Sequence, residues 1–229
     1  MTVAERRIPM FPLGTVLFPG ALLPLHVFEP RYRALVADCL ADDRCFGVVL
    51  ISRGSEVGGG DERVDVGAEA RIEAARPFDD GRWGLLARGT QRIEVVQWLE
   101  EALYPAALVR PLPDAEGGPH EGAPAPAPAA VAAALETALA SAATAVARAR
   151  ALAAELGRPL DAGGAVFDEE DEPGAGAWDP ASQLWRLCAA APLGPFDRQR
   201  LLEAPGTRAR AALLEELASA LADDLAALL

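Results

Sequence analysis

Lysine is absent from all 229 residues. That excludes the lysine of a phosphate-binding P-loop and the serine–lysine pair used by one class of peptide-cutting enzymes. Histidine is nearly absent: only His26 and His120 occur, and His120 lies in a proline- and glycine-rich stretch. A Ser-His-Asp triad would therefore have to use His26. The three cysteines are an odd number with no C-x-x-C pair, so neither a disulfide framework nor a zinc knuckle is expected. Cys39 and Cys188 fall on apolar helix faces and read as small buried side chains. The serine of GSEVG at 54–58 sits in a glycine-rich loop, not in the strand–helix elbow of a G-x-S-x-G nucleophile. The DEEDE run at 168–172 lacks the alternating spacing and central glycine of a calcium loop. We expect no catalytic residue, no cofactor and no metal.

Basic runs are also missing. The formal charge is −13, unevenly divided. Residues 1–113 hold thirteen arginines and sixteen acids, giving −3; residues 114–229 hold eight arginines and eighteen acids, giving −10. Nucleic-acid affinity rests on cationic neutralisation of phosphates, so RNA is not the favoured partner. The N-terminus has two arginines but no apolar stretch of signal-peptide type. The long apolar segment 129–146 is mostly alanine and carries Glu136, which is poor material for a membrane span. The expected setting is soluble and cytoplasmic.

What is present begins with Leu17–Arg33, LFPGALLPLHVFEPRYR. Pro19-Gly20 is a turn pair, with proline presetting one φ and glycine supplying the positive φ that a type II turn needs next. The apolar run Leu22–Phe28, interrupted by Pro24 and His26, suits an edge strand. Glu29-Pro30 enters a helix, because proline at the first helical position forfeits only an amide that would be unpaired anyway. Tyr32, Leu35, Val36, Cys39 and Leu40 then recur on one helical face. Phe46–Ile51 is a strand-length apolar run, and residues 64–72 alternate with period two, as a half-buried strand does. Asp79-Asp80-Gly81 reads as a hairpin turn into a strand at Trp83–Ala87, with a further strand beginning at Gly89-Thr90 and a last one over Ala102–Val109.

Residues 112–128 form a linker rich in proline, glycine and alanine, expected to be extended. After it comes an almost uninterrupted helix to Leu156, whose core stripe is mainly alanine with Val131, Leu135, Val146 and Leu156, permitting close helix–helix approach at little burial per residue, and Gly157 is placed as a left-handed C-cap. Asp179-Pro180 caps a helix that carries Leu184, Trp185 and Cys188 on one face. Pro195 opens a short helix, and the last one carries a stripe from Leu214 through Leu217, Leu221 and Leu225 to Leu228. Trp185 and this stripe are expected to dock on the strand-rich half. The fold class is α+β, with boundaries at 6–111, 112–128 and 129–229.

Several of these pieces, FPLGTVLFPGALLPLHVFEPRYRALV, FGVVLI, VGAEARI, DGRWGLLARGTQRIEV and Tyr104, together with FDRQRLLEA at 196–204, resemble the Lon protease N-terminal domain in order and spacing. The resemblance implies a PUA-like β-barrel followed by a C-terminal helical bundle, without the ATPase and protease domains. It further implies a non-catalytic protein that recognises exposed apolar or unfolded polypeptide, or that docks a protease or chaperone partner, in connection with protein quality control. An RNA-binding PUA-like protein and an accessory component of a Lon-type protease are the alternatives. The residues expected at the binding corner are Phe18, Pro19, Leu22, His26, Glu29 and Arg31. For His26 the competing reading is a strand residue bonded to backbone, and for Arg31 a side chain that covers apolar surface.

Overall fold

The computed structural model describes residues 4–54, 60–100, 103–115, 128–158 and 179–229. Ser55, His120, the DEEDE run and most of the expected linker lie outside the described residues. The chain divides into two compact units at Pro113/Asp114.

The first unit contains β1 (Arg6–Leu13), β2 (Leu22–Val27), α1 (Pro30–Ala41), β3 (Cys45–Arg53), β4 (Glu62–Pro77), β5 (Trp83–Trp98) and β6 (Ala106–Pro111). The sheet order is β2-β5-β4-β3-β1-β6, and β5 also pairs with β6. Five strands therefore close a circuit, β5-β4-β3-β1-β6-β5, while β2 is added outside it against β5. β1 and β3 run parallel; every other ladder is antiparallel, so the sheet is mixed. Closure buries the apolar side chains Ile8, Met10, Val49, Ile93, Val95, Ala107 and Val109 as one cluster.

The segment expected as two strands, Trp83–Ala87 and another from Gly89, is a single 16-residue strand. Gly89 explains the continuity. A Cβ there would stand 2.3 Å from the Phe18 carbonyl oxygen, so glycine is needed for close approach of two backbones and not to end the strand. The Asp79-Asp80-Gly81 turn is present, with Gly81 at φ 80° and the Phe78 amide donating to the Arg82 carbonyl. The Pro19-Gly20 turn likewise has Gly20 at φ 83°, and its amide bonds the Gly89 carbonyl. In α1, Tyr32, Leu35, Val36 and Cys39 are buried, as the periodicity requires.

The second unit contains α2 (Pro128–Glu155), α3 (Pro180–Ala190), α4 (Pro195–Glu203) and α5 (Thr207–Ala226), which pack on one another. Asp179 caps α3, its Oδ1 accepting from the amides of Ala181 and Ser182. Gly157 closes α2 at φ 64°. By length and composition α2 is apolar enough to cross a membrane, yet its buried face, Leu139, Ala142, Val146, Ala149 and Ala153, packs along α5. The mainly alanine stripe of α2 with Val146 is present as expected, whereas other expected members and the α5 stripe differ. Val131 and Leu228 are exposed, and the buried face of α5 is Arg210, Ala211, Leu214, Ala218, Ala222 and Leu225. Small residues win these positions because two helix backbones meet there, and leucine would hold them apart. Trp185, expected to anchor elsewhere, lies under the Arg210 guanidinium within its own unit, 3.7 Å from ring centre to Cζ.

Candidate functional site

The six residues of the expected binding corner do not converge on one surface. Phe18 is fully buried and Leu22 nearly so, which places both in the core and removes Phe18 as an exposed contact. The Pro19-Gly20 turn folds back onto β5 through two backbone bonds, Gly20 to Gly89 and Gly89 to Ala21, and this covers the phenylalanine. Pro19 remains half-buried at the turn.

Glu29 and Arg31 form one local pair, Nε to Oε2 at 3.1 Å, both mostly shielded from water. The Arg31 guanidinium lies 4.5 Å over the Tyr32 ring, and Phe11 stacks parallel on that ring at 4.1 Å. Arg31 thus covers apolar surface as well as pairing with an acid. Burial pushes the Tyr32 phenol up to about 12, against the lowering influence of Arg31. Asp61 continues this surface. Burial raises its carboxyl, but the hydrogen bond from Arg63, a backbone hydrogen bond and the charges of Arg63 and Arg31 together outweigh that and leave it below the usual aspartate value. Arg63 in turn lies 4.7 Å over the Trp98 ring. This is a shielded alternation of charges on aromatic faces, built for rigidity, with no nucleophile beside a base.

His26 has other neighbours. It is exposed on β2, and its Nε2 meets Arg82 Nη1 at 3.1 Å, not a backbone group. A guanidinium only donates, so in this contact Nε2 is the acceptor. The ring also lies 5.6 Å from that of Phe78, which is 37% exposed. Arg76 and Arg82 approach the Phe78 ring at 5.8 and 5.9 Å. Phe78, Arg76 and Arg82 were not expected here. The available signal was RPFDDGR, an aromatic immediately before a hairpin turn, where no helix or strand partner can cover it. Among the described residues no three side chains of metal-ligand type converge.

The chain and its fold have known counterparts. The family model of the ATP-dependent protease La (LON) substrate-binding domain matches residues 7–220. The chain is similar to Lon protease 2 of Myxococcus xanthus, 34% identical over 109 residues, and to the Lon protease of Anaeromyxobacter dehalogenans, 30% identical over 109 residues. Each match covers 47% of this chain and 13% of the relative, so the chain spans a small fraction of those proteins. Among solved structures, a Lon N-terminal domain protein from Xanthomonas campestris matches with a TM-score of 0.54 and 28% identity, over 90% of this chain and 94% of that one. The N-terminal domain of the Mycobacterium avium complex Lon protease matches with a TM-score of 0.56 over 93% and 98%; at 15% identity it bears on the fold alone. With the family model covering nearly its whole length, this chain belongs to the family of LON substrate-binding domains.

Proposed function

We propose that this chain recognises polypeptide segments without cutting them. In this reading the closed strand circuit is a PUA-like β-barrel and α2–α5 are its helical bundle. The chain acts in the cytoplasm, apart from any ATPase or protease domain, on unfolded or exposed apolar segments or on a protease or chaperone partner. The match of residues 7–220 to a substrate-binding domain carries the proposal. The absence of lysine supports its non-catalytic half, since neither a phosphate-binding lysine nor a serine–lysine pair can be formed from these residues.

The test titrates a fluorescently labelled, permanently unfolded polypeptide into the full chain and assays the same preparation for ATP hydrolysis and casein cleavage. Saturable binding with neither reaction is expected. Absence of binding overturns the reading, as does hydrolysis abolished by substituting one residue of this chain. Sub-micromolar RNA affinity with a steep salt slope would put the RNA alternative in its place.

A further inference from the structure

The outer face of β2, β5 and β4 carries an unassigned binding shelf. Pairing sets Pro24 opposite Leu86 and Leu86 opposite Ala74; the next row on the same face is His26, Gly84 and Arg76. The alternate residues Leu23, Val27, Leu85 and Ala87 are buried, so the inner face belongs to the core and this one looks out. Pro24, His26, Ala74 and Arg76 are exposed and Leu86 is partly so. Phe78 folds across Gly84, where a Cβ would already touch its ring at 3.4 Å. The Phe78 ring thus stands over Gly84 and beside His26, tilted 38° to the imidazole, as one wall of the shelf.

The charge of the shelf departs from that of the chain. Arg82 is paired with Asp80 at 2.6 Å, and Arg88 with Glu73 at 2.5 Å. Arg76 has a ring contact with Phe78 and no carboxylate partner among the described residues. The Arg33 guanidinium lies against Gly81 at the end of the same hairpin. Four guanidiniums, of Arg33, Arg76, Arg82 and Arg88, therefore stand around this hairpin with three carboxylates, Glu73, Asp79 and Asp80, in a protein of net −13. A locally positive, partly apolar shelf on an acidic molecule favours, at that place, a ligand that carries negative charge beside apolar groups, while the acidic remainder of the surface repels such a ligand from other docking positions.

We propose that this shelf binds an extended polypeptide segment in which carboxylate side chains alternate with aliphatic or aromatic ones. The apolar side chains lie on Pro24, Leu86 and Phe78, and a carboxylate reaches Arg76 in a charge-assisted hydrogen bond. This rests on the reading of the chain as a polypeptide-recognition module and assigns that module a site and a charge preference.

The full chain is titrated with three labelled 12-residue peptides that share their apolar residues and differ only in having Glu, Gln or Lys between them. Affinity is expected to fall in the order Glu, Gln, Lys. Arg76→Glu should weaken the Glu peptide about tenfold and tighten the Lys peptide. Phe78→Ser should weaken all three about fivefold. Both side chains are exposed, so both variants should melt with the parent. Arg208→Glu on α5, which alters net charge by the same amount, should leave the Glu peptide within twofold. Equal affinity for the three peptides, or equal losses in Arg76→Glu and Arg208→Glu, overturns the shelf. If the Gln peptide binds and neither shelf variant alters it, polypeptide recognition survives and the shelf does not; if no peptide binds, both fall. A dimer in sedimentation that Arg76→Glu dissociates would assign the shelf to a second copy and overturn the proposal.

Discussion

Arg210 and Asp114, 96 positions apart, form a two-pronged ion pair inside the helical unit, with Nη1 to Oδ2 at 2.9 Å and Nη2 to Oδ1 at 2.8 Å. The guanidinium is wholly buried, donates further to the Leu201 and Ala204 carbonyls, and lies on Trp185. Thr207 Oγ1 donates to the same carboxylate at 3.0 Å. Asp114→Ala strands a buried cation, and such a loss costs about 3–5 kcal/mol. Adding Arg210→Met removes the stranded charge, so the double variant should recover a large part of that. Urea unfolding of the two singles and the double checks both statements. Additive losses would mean that the pair contributes nothing beyond its separate side chains.

Glu69 sets an acid limb on stability. Burial alone would raise its carboxyl, but hydrogen bonds from Gln91 at 2.6 Å and Arg6 at 2.5 Å more than offset this and hold it below the ordinary glutamate value of 4.5. The unfolded chain then binds the proton first as pH falls. Stability from this group is complete above about pH 5 and declines as pH drops through the folded value. Glu69→Gln should cost about 1–2 kcal/mol at neutral pH and flatten the decline below pH 5. Chemical unfolding at pH 7 and pH 4 reads both effects; an unchanged acid slope would remove Glu69 as its source.

The thiols should be inert until the chain unfolds. Cys39, Cys45 and Cys188 are all buried and free. Burial, reinforced for Cys39 and Cys45 by the Asp43 carboxylate, pushes them up to about 12, 11 and 12. Little thiolate exists at neutral pH, and none is accessible. Titration with a thiol-reactive chromophore should show no fast phase on native protein and three equivalents in denaturant. A rapid native equivalent would contradict the packing around α1 and β3 or around α3.

Gly89 should be as sensitive as Gly20, for a different reason. Gly20→Val forces a β-branched residue to positive φ. Gly89→Ala places a methyl 2.3 Å from a carbonyl oxygen whose own turn is held by two backbone bonds, so the neighbour cannot give way cheaply. Each should cost about 3 kcal/mol or more. Arg33 is half-buried against Gly81, not on an open helix face, yet Arg33→Ala loses only partial packing and should cost under about 1 kcal/mol. Melting temperatures rank the three directly.

Local chemistry made much of this fold legible. The Pro19-Gly20 and Asp79-Asp80-Gly81 turns, the Pro30 and Asp179 helix starts and the Gly157 stop each depend on a few neighbouring residues, and all are present. What escaped depends on distant partners. Gly89 reads as a strand break until the Phe18 carbonyl is seen against it, and nothing near Arg210 in the sequence points to Asp114, 96 positions before it. The alanine stripe of α2 was legible as a surface for close helix approach, whereas Ala211, Ala218 and Ala222 of α5 were missed because burial is assigned to large side chains when the partner helix is unknown. At the candidate surface, His26 stood out by its rarity, whereas Phe78 and Arg76 reach it only through the pairing of β2 with β5 and of β5 with β4.

The Asp114–Arg210 pair also bears on where the helical unit begins. Cutting at 129, the start suggested by the helix-forming composition, discards Asp114 and leaves Arg210 buried among Trp185, Leu201 and Ala204 without its carboxylate. Cutting at 114 keeps the pair and also the Ala115 amide, which donates to the Pro205 carbonyl at 2.6 Å in the turn before α5. That turn is tight, for a Cβ on Gly206 would meet the Ala115 carbonyl oxygen at 2.5 Å. Residues 114 and 115 thus belong to the α4–α5 corner although 92 positions separate Asp114 from Gly206. Fragment 114–229 should be more helical and unfold at higher urea than fragment 129–229, by about 3 kcal/mol where both are folded. Asp114→Ala within the longer fragment should reproduce most of that difference. Equal stability of the two fragments would show that the ion pair is a passive contact and that the unit begins at α2.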